Sequence, residues 1–275
     1  MNKLQGAIAF SLLLTSGAAL ADAGDIVISA GAVNIDNKRS SSTPQHTTLA
    51  PSIATRTGLV PGSFDSPGTE QTIGNAIKPI LTMSYFITEN WAVTVVGGIP
   101  PKLNVYGHGS VVTPGLLNKV VPPVEMGKAS NNPVATVLHW FPSALVQYYF
   151  GERGDNFHPF VGVGLGYSFF THVRLEPGFK ANLNKTGSFL TLASTLDPTD
   201  SSDADASAAF RPLLNAGFAY QFDKTWGMGV SLSYVPIKTV ATIRVKDKYG
   251  KVAMTSTADL DIPTVATSAT VAYKF

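Results

Sequence analysis

From Val265 to Phe275 the chain alternates strictly: Val265, Thr267, Ala269, Val271, Tyr273 and Phe275 stand on one parity, and Ala266, Ser268, Thr270, Ala272 and Lys274 on the other. A period of two marks a strand with one apolar face and one face of small or polar side chains. Residues 210 to 222 repeat the pattern, with Phe210, Pro212, Leu214, Ala216, Phe218, Tyr220 and Phe222 set against Arg211, Leu213, Asn215, Gly217, Ala219 and Gln221. The next strand sets Trp226, Met228, Val230, Leu232 and Tyr234 against Gly227, Gly229, Ser231 and Ser233. Only Asp223-Lys224-Thr225 lies between them, so the two form a hairpin with a tight turn. Two further hairpins have this form: strands near 76–88 and 91–106 joined at Thr88-Glu89-Asn90, and strands near 136–150 and 157–173 joined at 151–156. A strand near 25–36 and a final one near 257–275 bring the number to eight, the smallest common closed barrel.

The connections alternate in length. Residues 37–75, 107–135, 174–205 and roughly 246–256 are long, polar and rich in Gly, Pro, Ser, Thr and Asn, whereas the turns between them are brief. Aromatic residues flank each short turn: Tyr85, Phe86 and Trp91; Tyr148, Tyr149, Phe150 and Phe157; Phe222 and Trp226, with Tyr273 and Phe275 at the end. Outer-membrane barrels put short turns and an aromatic girdle on the periplasmic side and long loops outside. The expected fold is therefore all-β, an eight-stranded antiparallel transmembrane β-barrel with long extracellular loops and short periplasmic turns.

Composition narrows this without changing it. Charged residues make up 14%, the formal net charge is +2 and there is no cysteine, so a nucleic-acid surface, a disulfide framework and a thiol nucleophile are all disfavoured. Met1-Asn2-Lys3, the apolar run Ala7–Leu14 and the small-residue exit Ala19-Leu20-Ala21 read as a secretory signal peptide over 1–21, cleaved after Ala21 or alternatively Ala23, with the barrel over 22–275. No later run of about 18 apolar residues offers a transmembrane helix.

Parity counted along the strands places Ile80, Phe86, Phe141, Leu145, Tyr149, Phe160, Phe170, Leu213, Val235 and Ile237 inside. Either they plug a small barrel or they line a hydrophobic lumen. Phe141, Leu145, Phe170, Leu213 and Ile237, nearer the extracellular side, are the candidate ligand pocket. Prolines at 100, 101, 142, 212, 236 and 263 donate no ladder hydrogen bond. Either they sit where strands leave the bilayer, or Pro100 and Pro142 mark a lateral gap. Arg211 and Lys274 are inward and could bond Gln147 and Asn215. His46, His108, His139, His158 and His172 have no metal-ligand spacing, and most read as loop or rim residues. Asp197, Asp200, Asp203 and Asp205 lack the glycine and terminal glutamate of a calcium loop. Gly162, Gly164 and Gly166 read as inward space beside bulky lumen residues. No metal or cofactor is expected.

Three stretches carry a family resemblance: Ile80–Val93, Phe141–Gly151 and His158–Tyr167, together with the ending Ala272-Tyr273-Lys274-Phe275. In these the chain resembles the OmpW-type outer-membrane proteins, over nearly all of its expected mature length. The resemblance implies a narrow, rather hydrophobic lumen that passes small hydrophobic solutes across the lipopolysaccharide layer and releases them sideways into the bilayer. Its expected partners are outer-membrane lipid and lipopolysaccharide, those solutes, and the barrel-assembly machinery through the barrel-end signal Tyr273 and Phe275. The longer first loop and the Asp- and Ser-rich third loop depart from typical members. Two other classes stay open: a structural or adhesive barrel recognised by host, phage or bacteriocin, and an outer-membrane lipid-modifying enzyme. No motif joins Ser, Asp and His into a catalytic group, so the reading is non-enzymatic.

Overall fold

In the computed structural model, residues 21–57, 62–119, 121–152, 154–192 and 199–275 are described; most of the expected signal peptide lies outside them. Eight strands form the wall: β1 (Ile26–Asp36), β2 (Ala76–Phe86), β3 (Trp91–Gly98), β4 (Ser143–Tyr149), β5 (Phe157–Leu175), β6 (Ala209–Gln221), β7 (Trp226–Asp247) and β8 (Val252–Lys274). Each pairs antiparallel with its sequence neighbour, and β1 pairs with β8 from Val27↔Lys274 to Asp36↔Val265, which closes the ring. Closure removes both sheet edges and satisfies the backbone in lipid. Among the described residues no helix is long and apolar enough to cross a membrane.

The lipid-facing parity is as expected. Leu81, Val93, Val146, Val163, Leu214 and Val271 are exposed on the outside. Trp91 packs on Tyr148, Phe157 on Phe218, and Trp226 on Tyr273, forming the girdle beside the short turns. Phe86 and Tyr149, from the same aromatic clusters, turn inward instead and pack on each other. In the third short turn the Asp223 carboxylate accepts the N–H groups of Thr225 (2.7 Å) and Trp226 (2.8 Å). These bonds favour its charged form and hold its pKa below the usual carboxylate value.

Toward the extracellular end the polarity of the two faces inverts. Below Tyr234 the outer face of β7 is apolar and the inner face is Gly and Ser; above it Val235, Ile237, Ile243 and Val245 are buried inside while Lys238, Arg244 and Lys246 point out. Lipid no longer bounds the outer face there. A second pair of aromatic contacts, Trp140 with Phe169 and Tyr167 with Phe210, lies near the inversion.

The fourth connection is shorter than expected, and the first and third carry helices. Residues 246–256 are mostly strand: β7 and β8 run 22 and 23 residues and are joined by a short turn at residues 248–251. The third loop holds a 16-residue helix, α2 (Pro177–Leu192), and the first holds α1 (Pro51–Thr57). Phe179, Leu183 and Leu190 of α2 and Ile53 of α1 bury against Val124 and Met126 of the second loop and Val245 and Met254 at the top of the β7–β8 hairpin. The extracellular end thus carries a cap with its own apolar core.

The third and fourth strands, expected to be continuous near 91–106 and 136–150, are each broken. β3 stops at Gly98, and the chain resumes as a strand at Lys102–His108. Ala135–Trp140 is separated from β4 by Phe141 and Pro142.

Candidate functional site

The ten inward residues lie where parity put them. Phe86, Leu145, Tyr149, Phe160, Leu213, Val235 and Ile237 are buried, and nine of the ten line one cavity of about 350 Å³; Phe170 lines a smaller space above it. That volume falls in the range of about 300–1,000 Å³ typical of small-molecule sites.

All eight wall strands line the cavity, and Ser29 of β1, Gly229 and Ser231 of β7, and Ala266 and Ser268 of β8 give it a side of small residues. Its upper part is apolar: Leu145, Leu213, Val235 and Ile237 belong to one cluster, with Phe141, Phe170 and Val96 packed against it. Its lower part is lined with hydroxyls, with Ser231 and Ser268 bonded at 2.9 Å.

A polar belt crosses the lumen between the upper cluster and the Phe86, Tyr149 and Phe160 group. Ser84 and Thr94 share a hydrogen bond of 2.7 Å, and the Thr94 hydroxyl donates to Gln147 Oε1. Tyr149 also donates to Gln147 Oε1 (3.2 Å), Gln147 Nε2 donates to Asn215 Oδ1 (2.8 Å), and Asn215 Nδ2 donates to Ser233 Oγ (2.9 Å). The belt links β2, β3, β4, β6 and β7, passing over β5 where Gly162 is the register partner of both Gln147 and Asn215. A Cβ on Gly162 would meet Gln147 Cγ at 2.8 Å, so the amide bridge requires glycine beneath it. Gly166 similarly makes room for the Phe141 ring, and Gly164 for Leu145.

Arg211 and Lys274 do not join Gln147 and Asn215 as expected. Arg211 Nη2 donates to the Lys238 carbonyl across the β6–β7 seam, and Lys274 lies 3.6 Å from Asp25 at the opposite end. Three of the five histidines, His46, His108 and His172, are exposed, and the other two are buried. His139 is buried in the lumen, stacked on Phe170 with centroids 4.8 Å apart and bonded through Nε2 to Ser168 Oγ. His158 is buried under the second short turn, bonded to the Phe150 and Asp155 carbonyls. Of the four loop aspartates, Asp197 lies outside the described residues, and Asp203 faces Lys246 (2.8 Å) and Arg244 (3.5 Å). Among the described residues no cluster of metal ligands exists.

The wall has a break. The β2–β3 ladder ends at Ile80↔Gly98 and resumes above at Ile73↔Val105, leaving Ala76–Pro79 and Ile99–Leu103 apart except where Gly74 N–H meets the Asn104 carbonyl just above. The β3–β4 ladder ends at Val96↔Ser143 and resumes at Leu138↔Lys102, with the His139 N–H donating to the Pro101 carbonyl at its margin. Ile99 and Pro100 thus form no ladder pair on either flank, and Pro101 is held by the His139 N–H. Pro79, Pro100, Pro101 and Pro142 surround the break, and none can donate a ladder bond. All four line the cavity, as does the exposed Ile99.

A second interruption lies between β6 and β7, whose ladder ends at Leu214↔Tyr234 just below Pro212 and Pro236. Leu213, Val235 and Ile237 pack closed behind it. Pro79, Pro100 and Pro142 at the first break line the cavity, whereas Pro212 and Pro236 at the second do not.

The OmpW family's sequence pattern matches residues 22–275. The chain belongs to the OmpW family. It is 28% identical over 164 residues to outer membrane protein W of Vibrio cholerae, covering 60% of each chain. It is 22% identical over 176 residues to outer membrane protein AlkL of Ectopseudomonas oleovorans, covering 64% of this chain and 59% of that one. The chain spans about six-tenths of the length of the curated relatives it matches. In structure this OmpW-family barrel is similar to the outer membrane protein OprG of Pseudomonas aeruginosa, with a TM-score of 0.64 and 22% identity over 92% of this chain and 97% of that one. The lipid-bilayer structure of AlkL gives a TM-score of 0.52 at 18% identity, covering 100% and 97%. These likenesses show the eight-stranded fold, and this OmpW-family protein is an outer-membrane β-barrel of the Gram-negative type.

Parity found the apolar lumen residues but missed the other parts of the belt and one cation. Ser84 and Thr94 are inward by the same count, and two steps beyond Ile80 it reaches Lys78, which lines the cavity beside the break.

Proposed function

We propose that the barrel takes up small hydrophobic molecules passively, holds them in the upper lumen and releases them sideways through the break at Ile99–Pro101 into the bilayer. The observation that carries this reading is continuity: one cavity runs from the apolar cluster of Leu145, Leu213 and Ile237 to Pro79, Ile99 and Pro142 at the wall. The chemistry of the lower half supports the direction of release. An apolar solute gains by burial at about 25 cal/mol per Å² beside the upper cluster, and it loses that gain among the lower hydroxyls. Lateral exit exchanges one apolar environment for another.

Neither rival has comparable support. A lipid-modifying enzyme would need a nucleophile converging with a base, and the buried His139 faces Ser168 inside a hydrophobic cluster with no described acid beside it. An adhesive role would place function on the cap alone and give the lumen none.

The test is the double variant Leu145→Asp with Leu213→Asp, which sets carboxylates in the apolar upper chamber. Cells carrying it should lose protein-dependent n-octane uptake. A heat-modifiable gel shift reports correct insertion, and normal uptake by a correctly inserted double variant overturns the reading.

A further inference from the structure

The upper cavity contains a charge that transport of neutral molecules does not use. Lys78 lies on the inward parity of β2, its register partner on β1 is Val33, and it lines the cavity with Pro79, Ile99 and Pro100. Among the described residues its ammonium meets no carboxylate, and no Asp or Glu lines the cavity. The other two inward cations are engaged, Lys274 by Asp25 and Arg211 by the Lys238 carbonyl. Lys78 is half-buried, and an anion beside it there gains more than it would in open water.

We propose that Lys78 makes this a site for amphipathic carboxylates, with the carboxylate on Lys78 Nζ at the wall break and the hydrocarbon chain along Ile80, Val96, Phe141 and Leu145. The inference deepens the uptake reading and rests on it for the role of the cavity. It adds a head-group preference: a medium-chain carboxylate binds more tightly than the alcohol of equal length.

The test is a binding titration on the full chain refolded in lipid nanodiscs, using octanoate and 1-octanol as probes and empty nanodiscs to subtract partition. Octanoate affinity should fall about tenfold in Lys78→Gln, the scale of one lost charge-assisted hydrogen bond. Lys78→Arg should restore it to within about twofold of wild type, while 1-octanol affinity stays the same in all three. Octanoate binding indifferent to Lys78→Gln, or a parallel loss of 1-octanol, overturns the inference. If the wild type binds 1-octanol and passes n-octane but does not bind octanoate, the carboxylate site fails and hydrophobic uptake stands. If the Leu145/Leu213 variant passes n-octane normally, the uptake reading fails, and the octanoate titration still decides whether Lys78 holds a carboxylate.

Discussion

Gly162 shows how one missing side chain organises a lumen. Gln147 and Asn215 sit on strands that are not neighbours, and they touch because nothing projects from the strand between them. Gly162→Ala puts a methyl group within 2.8 Å of Gln147 Cγ and 3.1 Å of the Val146 carbonyl. It should push the amide aside and leave buried polar groups unpaired, a loss of about 1–3 kcal/mol. Urea titration of the refolded barrel measures it, with Gly97→Ala, where nothing lies within 4 Å, as the control. Much of this was legible in sequence, since alternation alone puts Gly162, Gln147 and Asn215 on one face. The bridging itself was not, because parity says which way a side chain points and nothing about which strands flank it in register. The same limit explains Arg211 and Lys274: both face in, at heights that a count along the chain does not compare.

At the scale of strands, alternation works because lipid and lumen demand opposite chemistry of successive residues, and it fails where that demand stops. The pattern runs without interruption through Ile99 and Phe141, so the third and fourth strands read as continuous; only the prolines hint at detachment. The α2 helix was hidden for a different reason. Its Asn, Thr, Gly and Ser residues have low helix propensity, and its stability comes from packing Phe179, Leu183 and Leu190 into the cap. The break itself is testable as an element. Pro100→Val, Pro101→Val and Pro142→Val together return three N–H donors to the wall. The triple variant should insert normally, gain amide-exchange protection over 99–103, and lose most n-octane uptake. Restored protection with unchanged uptake would move the exit elsewhere.

The whole molecule is two stacked bodies with inverted faces, a lipid-embedded barrel below and a capped apolar vessel above. Because their cores are separate, they should fail separately. Phe179→Ala removes a fully buried ring from the cap, a loss of about 3–5 kcal/mol. Limited proteolysis should then cut the first and third loops faster while the barrel keeps its heat-modifiable band; simultaneous loss of both would mean one cooperative unit. Sequence reading found the lower body almost entirely and the upper one hardly at all, since a cap assembled from three loops has no period of its own.

The β7–β8 hairpin sets the reach of that upper body. At about 3.3 Å per residue, 22 residues of β7 extend about 70 Å along the strand, against a lipid-facing band of about 25 Å. Even at a barrel's tilt, its tip stands well above the acyl chains. The hairpin tip and cap are therefore the parts that project farthest outward, whereas the proline-lined break lies below them in the barrel wall. The face this protein shows its surroundings and the face that would do its chemical work are thus free to change independently.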